Sequence, residues 1–141
     1  MYFCAMTVSE LLRSKGFRVT TLRSELLTLL QQSDRALTQV EVEERLTSEV
    51  DRVTVFRALN AFEEAGLAHR VLDGTGTSCF AACASACEHG HHKDAHAHFH
   101  CRACGSVFCL PTVELPKVKV PRGFKMEYGQ LELQGTCKSC A

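Results

Sequence analysis

The 141-residue chain has no excess of charge of either sign, with 16 Lys and Arg against 16 Asp and Glu. A protein whose overall field draws in nucleic acid is thereby excluded, and any such surface must be a local patch. No apolar run approaches the roughly 20 residues of a membrane span. The opening "MYFCAMTVSE" lacks a basic stretch followed by an apolar one. The expectation is a cytoplasmic protein with no membrane partner. No internal repeat is evident. Proline is scarce and crowded: Pro111, Pro116 and Pro121 all fall between Leu110 and Gly123, which argues against a regular helix there and for extended chain. Catalytic patterns are also missing. No His-x-Glu accompanies a Pro-Cys-x-x-Cys as in zinc deaminases, and no nucleophile is paired with a base, so neither an enzyme nor a small-molecule substrate is expected.

Cysteine is abundant instead, at nine residues, with seven histidines beside it. In a reducing compartment an odd count does not close a disulfide framework, so metal binding is the better expectation. A hydrophobic content of 45% supports one ordinary core or two small ones.

Helical periodicity dominates up to about residue 66. Val8, Leu11 and Leu12 share one face, and Leu22, Leu26, Leu29 and Leu30 share another. Thr38 and Glu41 form a capping-box signature ahead of Val42 and Leu46. Asp51 can cap a fourth helix carrying Val55, Leu59 and Phe62, and Gly66 can end it. The period then changes to two: "GLAHRVL" and "SCFAA" flank "DGTG" as a β-hairpin. Helices followed by a hairpin are the winged-helix pattern. Beyond it, "CASACEHGHHKDA" reads as a loop or hinge, and strands follow, including "FKMEY" and "QLELQG". The expected class is α+β: a winged helix-turn-helix domain over 1–83, a His-rich hinge over 84–95, and a small α/β domain over 96–141.

Two Cys-x-x-Cys knuckles, Cys101 with Cys104 and Cys137 with Cys140, stand 32 residues apart. Two such knuckles complete a tetrahedron of thiolates for structural zinc, which a domain of this size needs. A redox pair is the competing reading, although it requires no second knuckle. In "HAHFHCRAC", strand alternation points His96, His98 and His100 one way and Cys101 the other. Two metal sites are therefore favoured over one. Candidate partners for His96 and His98 are His69, Cys79, Cys83 and Cys109, with His69 alternatively a packed core residue beside Leu67 and Val71. Thiols outnumber carboxylates here, which suits zinc better than Fe(II). His89, His91 and His92 sit in the polar loop, where histidines often have no fixed role.

On the fourth helix Arg57 lies nearly opposite the apolar stripe, with Val53 and Asn60 nearby. Arg and Asn can read base edges, and Arg52 near the helix start can hold a phosphate. Arg13, Lys15, Arg18 and Arg23 occur with no acid between Glu10 and Glu25, a local basic patch. A solvated charged face is the plain alternative.

The stretches "RVTTLRSELLTLL", "DRVTVFRALNAFEEAGL", "HAHFHCRACG" and "GFKMEYGQLELQGTCKSC" together resemble the ferric-uptake-regulator (Fur) superfamily, most closely its zinc-uptake-regulator (Zur) type. The resemblance implies a repressor acting as a metal-loaded homodimer on palindromic double-stranded DNA. It makes Phe56 and Arg57 expected DNA contacts and Arg23 an expected backbone contact. It assigns Cys101, Cys104, Cys137 and Cys140 to structural Zn2+, and His69, Cys83, His96 and His98 to a second, regulatory Zn2+. His100 matches no family ligand. Leu37 and Ala81 replace ligands of iron sensors, and Cys109 stands where many members carry Asp or Glu, adding a thiol near the regulatory site. The proline-rich 111–121 segment replaces a helix common in the dimerisation domain. An iron- or peroxide-sensing member using Fe2+ is the alternative within the family. A zinc-buffering or thiol-redox protein is the alternative from another class.

Overall fold

The computed structural model describes residues 6–82, 96–114, 116–127 and 130–141. Cys83, residues 84–95 with their histidines, which the sequence reads as a hinge, and the side chain of His96 lie outside the described part.

Four helices come first: α1 (Val8–Ser14), α2 (Thr21–Gln32), α3 (Gln39–Arg45) and α4 (Arg52–Glu64). Each starts at a side chain that accepts an otherwise unsatisfied backbone N–H, from Glu10 to Thr7, Arg23 to Thr20, Glu41 to Thr38 and Thr54 to Asp51. The capping box at Thr38 and Glu41 forms as expected, and another joins Thr7 to Glu10. Gly66, at φ 76°, turns the chain out of α4. The apolar stripes meet in one core: Leu11, Leu12, Leu26, Leu27, Leu30, Val42, Val55, Leu59 and Phe62, closed by Leu67 and Phe80. Leu27 enters this core, while Leu22 and Leu29 stay half-buried. The reason is that α2 packs against α1, α3 and the wing at once, so its buried arc is rotated from the one periodicity suggests.

The expected hairpin is β2 (Ala68–Leu72) and β3 (Ser78–Ala82), after a two-residue strand β1 (Leu37–Thr38) that adds to β3. Asp73 closes the hairpin turn by accepting the N–H groups of Thr75 and Thr77 at 2.8 and 2.9 Å. β1 is too short to carry a periodicity and has no counterpart in the sequence reading.

A second sheet contains β4 (His96–Cys101), β5 (Val107–Glu114) and β6 (Leu131–Gly135), in the order β5-β4-β6, with β5 antiparallel and β6 parallel to β4. The pairing jumps from Ala97↔Leu110 to His96↔Glu114. That irregularity holds Pro111, which cannot donate to a ladder. Expectation fails at "FKMEY": 124–127 join no strand, and Phe124 and Met126 are exposed. The "PTVELPKVKVP" stretch forms β5 as far as Glu114, and 116–120 joins no helix or strand.

The wing rests on the second sheet. Cross-strand pairs His69↔Ala81 and Val71↔Cys79 share one face of β2 and β3. Ala36, Cys79, Ala81 and Val107 form a second small core, against which Val71 and Cys109 pack. The Ala36 N–H donates to the Val107 carbonyl at 2.7 Å. Among the described residues no helix is long and apolar enough to cross a membrane.

Candidate metal centres and nucleic-acid interface

The knuckles fold as tight turns that aim thiols at a common point. Gly105, at φ 76°, follows the first, and its N–H donates to the Cys101 carbonyl at 2.9 Å. In the second, the Cys140 N–H donates to the Cys137 carbonyl at 3.0 Å. The four sulfurs of Cys101, Cys104, Cys137 and Cys140 lie within 4.8 Å of one another, with Cys104 and Cys137 at 3.9 Å. A tetrahedral zinc with bonds of about 2.3 Å requires sulfur edges of about 3.8 Å, so these residues fit that ion. Backbone N–H groups of Cys104 and Cys137 point at the Cys101 sulfur, at 3.5 and 3.3 Å, and hold its thiol down to about 6. Hydrogen bonding to the Cys137 and Cys104 sulfurs pushes Cys140 up to about 12. Four sulfurs that share protons by hydrogen bonds in this way are the donor set a dication would stabilise in place of those protons.

A second cluster forms where the two sheets meet. His69 comes from β2, His98 from β4 and Cys109 from β5, and their ligand atoms lie within 4.8 Å of one another. Nε2 of His98 is 3.3 Å from Nε2 of His69, which is 3.0 Å from Sγ of Cys109. The two imidazoles are only 2% and 3% exposed. Two buried ring nitrogens directed at each other and at a sulfur suit a tetrahedral zinc, whose nitrogen edges are about 3.3 Å. His69 is thus buried with its ring nitrogen directed at His98 and Cys109 and away from a purely apolar contact.

Strand parity separates the two centres. His98 faces His69 and Cys109, while Cys101 joins the other knuckle. His100 shares the His98 face but stays out of the cluster; its Nε2 is 4.0 Å from Glu132 Oε1. Cys79 lies outside both clusters, and burial pushes its thiol up to about 11.

On α4, Val53 and Phe56 are 53% and 45% exposed and Arg57 is exposed, whereas Val55, Leu59 and Phe62 are fully buried behind them. Arg57 lines a cleft of about 690 Å³ together with Arg18, Thr20 and Arg23. Arg23 is held in place by donating to the Arg18 carbonyl at 3.0 Å and by stacking 5.3 Å from the Phe17 ring centre. Arg52 projects from the first turn of α4 with a loose contact to Glu43 at 3.6 Å. Asn60 is occupied differently: its Oδ1 accepts from Arg70, which also pairs with Glu63 at 3.1 Å and stacks on Phe80. Arg70 thus braces the wing against α4. The sequence reading missed it, because a lone arginine in a strand has no spacing signal.

A winged helix joined to a small sheet that holds a four-sulfur cluster, with a His and Cys cluster at their junction, defines the class of metal-responsive winged-helix regulators. Residues 14–134 match the Ferric uptake regulator family, and the chain belongs to that family. It is 31% identical over 137 residues to a ferric uptake regulation protein of Bordetella parapertussis, covering 92% of this chain and 93% of that protein. It is 29% identical over 132 residues to a zinc uptake regulation protein of Mycobacterium tuberculosis, covering 89% and 95%. Its fold matches a zinc uptake regulator solved with zinc and DNA, with a TM-score of 0.64 at 22% identity over 94% of this chain and 89% of that one. The family's architecture, an N-terminal winged helix and a dimerisation domain, is the α+β arrangement described above.

Proposed function

We propose that this family member is a zinc-sensing transcriptional repressor that binds palindromic operator DNA as a metal-loaded homodimer in the cytoplasm. The carrying observation is the convergence of His69, His98 and Cys109 from three strands of two sheets. Residues 1–83 are the DNA-binding domain, 84–95 the hinge and 96–141 the dimerisation domain. Cys83 and His96 are proposed to complete the regulatory site from the hinge side. Cys101, Cys104, Cys137 and Cys140 hold structural zinc. Bound at the regulatory site, zinc would supply a cross-link between the wing and the second sheet. The residues themselves set what that link transmits. His69 sits on the strand that Arg70 braces to α4, so a fixed His69 fixes the direction of Phe56 and Arg57. Arg57 reads base edges, Phe56 makes apolar base contact, and Arg52 and Arg23 hold phosphates. Asn60 serves that surface by keeping α4 on the wing.

The 31% identity to a ferric uptake regulation protein favours iron as the second reading. Against it stands the thiol of Cys109 in the cluster, a softer donor than Fe(II) sites usually carry. Titrating metals while following binding to a palindromic duplex separates them. Zinc is expected to activate at the lower free concentration, and activation by Fe(II) below zinc would overturn the assignment. A zinc-buffering or thiol-redox protein would bind no duplex and be unaffected by Arg57→Ala, whereas a repressor should lose most of its DNA affinity with that substitution.

A further inference from the structure

The connection between β5 and β6 is far longer than its task. β5 ends at Glu114 opposite His96, and β6 begins at Leu131 opposite Ala97, so both ends lie at one end of β4. β4 alone separates them, a gap of about 10 Å that three or four extended residues can cover. The chain spends residues 115–130 on it. Throughout the described part of this arm, 116–127, there is neither helix nor strand, and Val118, Val120, Phe124 and Met126 are 60%, 40%, 71% and 53% exposed. So many large apolar side chains on one exposed segment mark an interaction surface.

A matching surface lies on the same sheet. Phe99, Phe108 and Leu110 form a groove of about 400 Å³ with Thr136 and Lys138 of the second knuckle, and Asp34 and Cys109 complete its wall. Among the described residues of the arm, none lines it. The groove reaches the knuckle end of the sheet, whereas the arm is rooted at the opposite, His96 end. A two-fold axis that sets two sheets antiparallel brings each root against the other's knuckle end, so both arms dock at once.

We propose that the 116–127 arm of a second copy of this chain occupies the groove, with Phe124 as its apolar anchor. This rests on the homodimer proposed above and names the contact that makes it. Lys117, Lys119, Arg122 and Lys125 against Glu127 give the 116–127 arm a charge of +3. Two such arms repel when laid side by side, while the groove, with Asp34 and Lys138 both on its wall, carries no net charge to oppose a seated arm. Because Cys109 lines the groove, a seated arm also packs behind one member of the regulatory cluster.

The full-length zinc-loaded protein tests this. A photo-reactive residue at 124 in a mixture of ¹⁴N and ¹⁵N chains is expected to give mixed-isotope cross-links to the strand segments around Phe99 and Phe108. In sedimentation equilibrium, Phe124→Asp and Leu110→Ser are each expected to weaken the dimer at least tenfold while the four-cysteine zinc is retained. A wild-type dimer that both variants leave unchanged, or cross-links confined to single chains, would overturn the arm exchange alone. A wild-type chain that stays monomeric when loaded would overturn the homodimer as well.

Discussion

On the proposed reading, metal choice turns on Cys109. Its sulfur lies 3.0 Å from the His69 ring nitrogen, so the cluster is two imidazoles and a thiol where a carboxylate would make a harder site. Cys109→Ser is expected to remove one zinc equivalent and leave the four-cysteine zinc bound, as read by metal analysis after dialysis. The loss in regulatory-site affinity should exceed the roughly 10- to 100-fold typical of outer-shell partners. Cys109→Asp should shift preference towards Fe(II) or Mn(II); a variant that still prefers zinc by the wild-type margin would show that the thiol is not a ligand. The separation of His98 from Cys101 along "HAHFHCRAC" was legible from the sequence, because strand alternation alone puts them on opposite faces. Which partner His98 meets was not, since His69 is 29 residues away and Cys109 joins only through the β4 and β5 register. Periodicity leaves His69 between core and ligand, and its ring nitrogen facing His98 and Cys109 supports the proposed ligand role.

At the scale of elements, α4 carries both the core and the proposed DNA surface. Leu59 is fully buried, so Leu59→Ala is expected to cost about 2–5 kcal/mol in denaturant unfolding. The start of α4 depends on Asp51, whose carboxylate is held below its ordinary 3.8 by hydrogen bonds from Thr54, side chain first and backbone second. A depressed native pKa means that the contribution is complete above the ordinary value and disappears as pH falls through the native one. The difference in thermal midpoint between wild type and Asp51→Ala should therefore stay constant down to about pH 4 and close below it. A difference that grew on acidification would contradict the cap. Helices, caps and hairpin were readable because their signals are local. β1 and the path of 116–127 were not: a two-residue strand has no period, and the alternation of "FKMEY" mimics a strand that finds no neighbour.

For the whole molecule, the two proposed metal centres differ in consequence because their residues join different things. The four cysteines connect β4 to the C-terminal knuckle within one sheet, whereas His69, His98 and Cys109 connect that sheet to the wing. Exhaustive chelation is expected to melt the second sheet first, seen as loss of amide protection in 96–114 and 131–135 while α1 to α4 stay protected. Removing only the regulatory metal should leave both units folded. Metal and DNA must then act on each other reciprocally, each tightening the other's binding by the same factor. The most direct test is the dissociation constant for a palindromic duplex, measured on protein holding the four-cysteine zinc, with the second site first empty and then filled. A coupling of 1–3 kcal/mol, a tightening of roughly 5- to 150-fold on filling that is abolished by Cys109→Ser, is the predicted result. Equal affinity in the two states would contradict a sensing role for the His69, His98 and Cys109 cluster.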